Sequence, residues 1–284
     1  MDRRAFLSTL ALSVVGARYI QAPTKAEAAE EQGAAYGGSA GGYIIEFENG
    51  AMFYVAGDTC LMPDMKLVIG EYYKPDVAFL PIGNIFTMDG KDAAYATTWI
   101  QPKYAIPYHY HTFPILAQDA TKFLEELKKY EAETKTQPIV LEWGVEREIE
   151  GIKVTWLCHA TVLLESPEGT RILIDPWLAD NPDCPEEYRD ATALQKIDLI
   201  LLTHAHSDHT SVPDLVQLVK LYDPVIFVQY DLLSYLQNKV EGRFFFMNKG
   251  GHATKEVVSS EGHEVNMPPK MSITFVNAEH SSGI

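Results

Sequence analysis

The residues with the clearest chemical potential form one short run, residues 203–209, with the sequence Thr-His-Ala-His-Ser-Asp-His. It places the imidazoles of His204, His206 and His209 and the carboxylate of Asp208 within six positions. Imidazole nitrogens and carboxylate oxygens bind zinc, iron and manganese. Burying so many titratable groups together without partners would cost several kcal/mol, so a purely structural role explains the run poorly. The run therefore predicts a site for one or two metal ions.

The metal-binding run directly follows an apolar stretch, Leu199–Leu202, which predicts a buried strand. Asp175 and His159 also stand at the ends of predicted strands. Strands and helices alternate along the chain, which favours an α/β architecture. An Asn49-Gly50 turn predicts that the first two strands form a hairpin. Strands are predicted at residues 43–47, 51–55, 77–81, 104–107, 138–143, 153–157, 161–165, 170–174, 199–202, 225–229 and 271–276. Helices are predicted at residues 62–72, 91–99, 119–130, 212–222 and 232–239.

Length and composition indicate a globular protein. The chain has 284 residues, of which 46% are hydrophobic, so it can bury a substantial core. Its formal net charge of −16 argues against a nucleic-acid partner, because binding to phosphates needs a basic surface. Three cysteines cannot form a disulfide framework.

The first 28 residues are predicted to be a twin-arginine-type signal peptide. Arg3 and Arg4 precede a modestly apolar stretch, residues 6–17, and a small-x-small site follows at Ala26-Glu27-Ala28. The apolar stretch is about 12 residues long, whereas a membrane-spanning helix needs roughly 20. We therefore expect export to the periplasm or cell envelope, with no stable membrane span after cleavage. The alternative is an ordinary amphipathic N-terminal helix.

The His-x-His-x-Asp-His run resembles the signature of the metallo-β-lactamase superfamily. Four further positions match the remaining motifs of that family, namely Asp175 in Ile-Asp-Pro, His280 in Glu-His-Ser-Ser-Gly, Asp58 in Ala-Gly-Asp-Thr and His109 in Pro-Tyr-His-Tyr-His. Flanking segments are similar to the ascorbate-6-phosphate-lactonase-like branch, at residues 58–67, 80–88, 109–114, 156–161, 172–177 and 247–251. The resemblance covers roughly residues 35–284. It implies a four-layer αββα sandwich in a single hydrolase domain, residues 29–284.

The order of the motifs differs from the order in that family, where the His-x-His-x-Asp-His half comes first. Here residues 43–150 resemble the C-terminal half of the family and residues 151–284 resemble its N-terminal half. We interpret the chain as a circular permutant, cut after His280 and joined near residues 148–151. Permutation is plausible because domain termini often lie close together. The alternative is that the two halves were assembled in the wrong order in the sequence itself.

The resemblance also implies a ligand set for two divalent cations, zinc or manganese, with iron as a further candidate. One ion is held by His204, His206 and His280, the second by Asp208, His209 and His109, and Asp58 bridges both. Two cations roughly 3.5–4 Å apart share a hydroxide and neutralise the oxyanion that follows its attack. The implied function is hydrolysis of a small-molecule ester, lactone or phosphodiester.

Three further residues receive roles around this site. Asp175 is expected to orient a ligand imidazole, or else only to form the turn before Pro176. His159 is expected to contact substrate or transfer protons together with Asp208, or else to be a core histidine. His111 lies two positions after His109, so on an extended segment both side chains would face the same way. It would then contact substrate or line the pocket.

Two other functional interpretations stay open. A non-catalytic protein could use the same fold to bind a metal or a ligand, although all seven expected ligand positions are filled. A redox site of the flavodiiron type is disfavoured because these 284 residues contain no recognisable flavin-binding domain. Neither the sequence nor the resemblance determines the oligomeric state.

Overall fold

The computed structural model describes residues 36–255 and 267–284, in which the strands form two sheets of seven. The first sheet has the order β13-β14-β1-β2-β3-β4-β5, and the second has the order β12-β11-β10-β9-β8-β7-β6. The strands are β1 Gly41–Glu46, β2 Met52–Val55, β3 Val77–Pro81, β4 Tyr104–Tyr108, β5 Gln137–Pro138, β6 Glu146–Ile149, β7 Ile152–Cys158, β8 Thr161–Glu165, β9 Arg171–Ile174, β10 Leu199–Leu201, β11 Val225–Gln229, β12 Arg243–Met247, β13 His252–Thr254 and β14 Ser272–Asn277.

Helices flank the two sheets. They are α1 Met65–Tyr73, which is wound as a π-helix, α2 Gly90–Ile100, α3 Thr121–Lys128, α4 Val212–Tyr222 and α5 Tyr230–Leu236. Two short 3₁₀ turns span Glu186–Tyr188 and Ala191–Leu194. Helix α4 begins just after the metal-binding run, because the Ser211 side chain accepts a hydrogen bond from the backbone N–H of Asp214 and so caps it.

The layers follow from the alternation of side chains along each strand. Leu199 and Leu201 face the core between the two sheets, whereas Ile200 faces the second core, beneath α4 and α5. A strand covered on both faces is apolar throughout, as Leu199–Leu201 is. The predicted α/β fold class is therefore confirmed as two sheets flanked by helices.

Most predicted elements agree with the structure within a few residues, including the β1–β2 hairpin, in which Tyr43 pairs with Val55. The predicted strand at 138–143 is wrong beyond Pro138, where the chain leaves the sheet. Strands β6, β12 and β13 were missed. Strand β6 is a polar edge strand with three exposed residues, so its sequence lacks an apolar pattern.

The two halves predicted from the sequence meet at residue 150, but the division of the chain between the two sheets follows other boundaries. Strand β6 already belongs to the second sheet, and β13 and β14 return to the first. The hairpin of β6 and β7 turns at Glu150 and Gly151, both with positive φ. The predicted signal peptide, residues 1–28, lies outside the described residues. Among the helices of the described segments, none has the length and apolarity needed to cross a bilayer.

Candidate metal centre

The candidate site lies where six strands end, three in each sheet. Asp58 follows β2, His109 follows β4 and His280 follows β14 in the first sheet. Asp175 follows β9, the run 203–209 follows β10, and His159 follows β7 in the second. Because β2, β4 and β14 run in one direction, as do β7, β9 and β10, each group meets at one edge of its sheet. Ligand sites in open α/β sheets lie outside such carboxyl ends.

Asp58 lies at the centre of the cluster and is 3% exposed. Its Oδ2 atom lies 3.1 Å from His109 Nε2, 3.4 Å from His209 Nε2 and 3.6 Å from His280 Nε2. Gly57 makes this placement possible, since it has a φ of 65° and a Cβ atom there would lie 2.5 Å from the carbonyl oxygen of Gly41. One carboxylate therefore contacts imidazoles from both predicted ligand groups.

The first predicted ligand group is assembled. Potential ligand atoms of His204, His206 and His280 lie within 4.8 Å of one another. His206 Nδ1 is 3.0 Å from His204 Nε2 and 3.3 Å from His280 Nε2. Three nitrogens converging on one point are suited to bind a cation such as Zn²⁺.

The second predicted group is also assembled, with one additional member. Ligand atoms of His109, Asp208, His209 and His159 lie within 4.8 Å of one another. His159 Nε2 is 3.2 Å from Asp208 Oδ2, and the His159 and His109 ring centres are 3.9 Å apart. The structure thus brings all seven predicted ligands into one cluster and places His159 beside them.

Unpaired buried atoms show that these residues fit a metal. Asp58 Oδ1, both ring nitrogens of His109 and His209 Nε2 are buried and have no hydrogen bond of acceptable geometry. Unpaired buried polar atoms are rare in folded proteins because each costs about 1–3 kcal/mol. Here the unpaired atoms are the carboxylate oxygen and imidazole nitrogens that divalent transition metals bind.

The electrostatics keep most of the imidazoles neutral. Burial lowers the pKa of His204, His206 and His280, and lowers that of His159 to about 3. A neutral imidazole retains the lone pair with which it binds a metal. Burial alone would raise the pKa of Asp58, but His109 and His209 outweigh it and hold the pKa below its usual range. His209 has a raised pKa despite its burial, because it lies between Asp58 and Asp175.

Asp175 is completely buried and orients two of the histidines. Its Oδ2 atom accepts hydrogen bonds from His209 Nδ1 (2.9 Å) and from the Thr203 hydroxyl (2.6 Å). The Thr203 oxygen in turn lies 3.0 Å from His204 Nδ1 and accepts a hydrogen bond from it. In its neutral form each of these two imidazoles would carry its proton on Nδ1 and direct the Nε2 lone pair into the cluster.

We expect Asp175→Asn to weaken metal binding by about 10–100-fold while the chain still folds, because an amide cannot fill both acceptor positions of the carboxylate. Isothermal titration of the metal-free protein with Zn²⁺ measures this. Asp198→Asn is the matched control, since Asp198 accepts the Arg171 N–H at the opposite end of the same strands. Equal affinity in both variants would contradict the orienting role of Asp175.

The backbone around the site is held in an unusual conformation. His109, His111, His159 and Asp175 all have a positive φ, which non-glycine residues adopt rarely. The His159 carbonyl accepts hydrogen bonds from the His109 N–H (3.0 Å) and from the Trp156 indole (2.8 Å). These contacts join the two sheets at the site and fix both strained turns.

Ser282 is buried and bridges three segments. Its hydroxyl accepts a hydrogen bond from the Ala205 N–H (3.1 Å) and donates one to the Gly37 carbonyl (3.2 Å). The Gly37 N–H donates to the Ser282 carbonyl at 2.8 Å. His280 is thereby tied to the loop that carries His204 and His206. A lone serine has no pattern by which the sequence could have revealed this role.

Ser282→Ala is expected to lower the stability of the protein by about 1–2 kcal/mol and to weaken metal binding about tenfold. The hydroxyl loss leaves the Ala205 N–H unpaired and loosens the His280 segment. The control is Ser166→Ala, which removes another buried hydroxyl, one that accepts the Thr170 N–H far from the site. Denaturant unfolding and Zn²⁺ titration should show that both variants lose stability and that Ser282→Ala alone loses affinity.

Two of the histidines that the structure describes, His111 and His252, lie outside the cluster. His111 has an exposed side chain that contacts Asp183 (3.0 Å) and the Trp143 ring rather than the other histidines. The expected extended geometry is absent, because both His109 and His111 have positive φ and no longer share a face. His252 is exposed on β13 and contacts Thr274.

A cavity of about 300 Å³ opens onto the cluster. It is lined by Asp58, Phe86, His109, Phe113, His206, Asp208, His280 and Ser281. Five of these are predicted ligands, so a small molecule in the cavity would touch the cluster directly. Asp175 and His159 do not line it, which places both behind the ligands.

Comparison with protein families agrees with this geometry. A family model described as a beta-lactamase superfamily domain matches residues 8–110 and 170–284, which is well over half of the chain. The chain belongs to the metallo-β-lactamase superfamily. The matched stretches contain Asp58, His109, Asp175, His280 and the run 203–209.

Individual members of the superfamily resemble shorter parts of the chain. A UPF0173 metal-dependent hydrolase of Methanosphaera stadtmanae is 47% identical over 104 residues, which cover 37% of this chain and 44% of the relative. One from Koribacter versatilis is 37% identical over 48% of this chain and 51% of the relative. A solved metallo hydrolase from Ignicoccus hospitalis is 38% identical over 34% of this chain and 40% of the other, with a TM-score of 0.31. The chain thus spans about half the length of the curated relatives it matches.

Proposed function

We propose that the protein is a metal-dependent hydrolase that uses two divalent cations, zinc or manganese, to cleave an ester, lactone or phosphodiester of a small molecule. The observation that carries the proposal is the convergence of the six other predicted ligands around one buried carboxylate, Asp58, beside an open cavity. The relatives from Methanosphaera and Koribacter are named metal-dependent hydrolases, which supports the same function.

The two sets of ligand atoms support an assignment of the residues to two ions. His204, His206 and His280 would hold one, and Asp208, His209 and His109 would hold the other, with Asp58 between them. Bound divalent cations would lower the pKa of water towards neutrality and offset negative charge on the attacked oxygen. Asp208 lines the cavity, so its carboxylate is also placed to accept a proton from a reacting group.

His159 would position Asp208 rather than contact substrate. An ionised carboxylate only accepts hydrogen bonds, so His159 Nε2 carries a proton and donates a hydrogen bond to Asp208 Oδ2 across 3.2 Å. The opposite nitrogen, Nδ1, lies 3.1 Å from the Thr112 hydroxyl, which can donate to it. A nitrogen that carries a proton cannot bind a metal, which argues against His159 as an eighth ligand.

The order of the halves is a further part of the proposal. The circular permutation is supported by the contacts between residues 36–42 and the segment carrying His280, whereas the ascorbate-6-phosphate-lactonase-like branch is supported by the resemblance of the flanking motifs alone. Strand β1 pairs with β14 from Gly41–Asn277 to Glu46–Ser272, and Tyr36 pairs with Gly283. A variant that joins these segments by a linker, with new ends at Glu150, should keep the activity of the original order.

The predicted signal peptide supports action in the periplasm or cell envelope.

Metal content and hydrolysis, measured together on the purified protein, test the function. We expect about two metal ions per chain by plasma mass spectrometry, with turnover of bis(p-nitrophenyl) phosphate or of a simple lactone. His206→Ala should lose both properties. His252→Ala is the matched control, because His252 is exposed and lies outside the cluster. Metal binding without turnover of any substrate would favour the non-catalytic alternative.

A further inference from the structure

A second cavity of about 720 Å³ adjoins the metal-site cavity. The two share Phe113, His206 and Asp208, so a molecule reacting at the cluster can extend from one into the other. The wall of this larger groove is mainly apolar, with Phe113, Trp177, Ala205, Val212, Pro213, Tyr235, Gly283 and Ile284. Its volume lies within the range of small-molecule binding sites.

The aromatic part of the groove is anchored to the metal centre. The rings of Phe113 and Trp177 stack with centres 5.8 Å apart, and each meets the edge of the His159 ring, at 5.7 and 5.4 Å. Trp177 is further held by its neighbour Leu178, whose N–H donates to the buried carboxylate of Asp214 at 2.8 Å. The apolar wall therefore stands at a fixed position beside the cluster.

The charged residues of the groove are acidic. Asp180 and Asp208 line it, and Asp58 lines the adjoining cavity, whereas no lysine or arginine is among the described lining residues of either. Lys239, whose ammonium lies 4.4 Å from the centre of the Tyr235 ring, does not line the groove. Asp58 and Asp208 would be bound to the metal ions, so Asp180 is the acidic side chain of the groove that stays free. A phosphate or carboxylate of the substrate that lies in the groove, away from the metal ions, would face Asp180 and meet no lysine or arginine among the described lining residues.

We propose that the substrate is an uncharged carboxylic ester or lactone with an apolar acyl chain, which lies in the groove lined by Phe113, Trp177, Val212 and Tyr235. This inference rests on the proposed hydrolase function and names its substrate class. Apolar burial supplies the binding free energy, and Asp180, with no lysine or arginine among the described lining residues, disfavours substrates that place a second anionic group in the groove.

A chain-length series of p-nitrophenyl esters, assayed with the metal-loaded protein, tests the inference. A fully buried methylene improves kcat/KM about fourfold, so octanoate should exceed acetate by about 100-fold or more. Bis(p-nitrophenyl) phosphate reports whether the site is active at all, and a p-nitrophenyl ester of succinate adds a distal carboxylate. We expect the succinate ester to be hydrolysed at least about tenfold less efficiently than the butyrate ester.

Val212→Asp tests the groove itself. Val212 opens helix α4, where an acidic residue is favoured, so the variant should fold. Val212→Asp should lower the ratio of octanoate to acetate turnover by about tenfold or more, because a carboxylate replaces an apolar side chain in the wall of the groove. Val216→Asp is the matched control, since Val216 is on the same helix but is 45% exposed and does not line the groove. The ratio of octanoate to acetate turnover in Val216→Asp should equal the ratio in the unmodified protein.

Binding to the metal-free protein separates failure of this inference from failure of the proposed function. A non-hydrolysable octanamide should change the tryptophan fluorescence through Trp177, and Val212→Asp should weaken that binding. Turnover of bis(p-nitrophenyl) phosphate without any gain from longer acyl chains would overturn the inference and leave the hydrolase intact. Absence of all turnover, together with tight octanamide binding, would overturn the hydrolase function and retain the groove. Equal turnover of the succinate and butyrate esters would overturn the proposed exclusion of anions.

Discussion

Asp58→Asn is expected to reduce hydrolysis by at least about 1,000-fold, equivalent to roughly 4 kcal/mol of transition-state stabilisation. The Asp58 carboxylate lies 3.1–3.6 Å from imidazole nitrogens of both ligand groups, and its second oxygen, Oδ1, is buried without a hydrogen bond. An amide of the same size removes the negative charge that the two proposed cations would share, and it presents a donor where a ligand oxygen would be needed. Metal content should fall from about two ions per chain to one or fewer.

The control for this variant is Asp76→Asn, which neutralises a partly buried carboxylate at the amino end of β3. Asp76 accepts the Met52 N–H at 2.9 Å and contacts Lys103, far from the cluster. Both variants remove one negative charge, but we expect Asp76→Asn alone to retain metal and turnover. Full activity of Asp58→Asn would refute the assignment of Asp58 as the residue between the two ions.

Metal removal is expected to lower the melting temperature by roughly 8–16 °C. A metal present at about 1,000 times its dissociation constant stabilises the native state by about 4 kcal/mol, and each kcal/mol corresponds to about 2–4 °C for a domain of this size. In the metal-free state the unpaired buried atoms of Asp58, His109 and His209 have neither a hydrogen bond nor a cation. Scanning calorimetry before and after chelation, and after Zn²⁺ is restored, measures the shift.

The segment that carries His280 should respond most strongly to metal removal. Hydrogen exchange at residues 276–284 should accelerate when the metal is removed, because His280 is then held mainly by the Ser282 contacts. Strand β1, which pairs with β14 and with β2, should exchange at nearly the same rate with and without metal. Equal protection of residues 276–284 in both states would show that protein contacts alone fix that segment.

The substrate-class proposal and the metal-site proposal depend on different residues, which is why they can fail separately. The first depends on apolar side chains such as Trp177 and Val212, the second on histidines and carboxylates. His206 and Asp208 belong to both cavities and connect the two. Variants at Val212 therefore report on substrate choice, and variants at Asp58 report on the chemistry.

The sequence by itself determined the α/β class and the run of candidate metal ligands at residues 203–209. Local patterns sufficed, because the apolar run Leu199–Leu202 predicts a strand and three histidines with an aspartate follow it at once. Asp58, His109 and His280 have no local pattern of this kind, and their assignment depended on resemblance to the superfamily. The ends of strands could be predicted, but their convergence could not be derived from spacing alone.

The tertiary structure alone decided which way the remaining side chains face. His111 was expected beside His109, but positive φ at both residues turns it towards Asp183. The role of Ser282 and the apolar groove depend on segments distant in sequence, such as Gly37 with Ser282 and Phe113 with Trp177. Periodicity reports which face of one element is buried, whereas these contacts are set by how separate elements pack, and no local pattern encodes that packing.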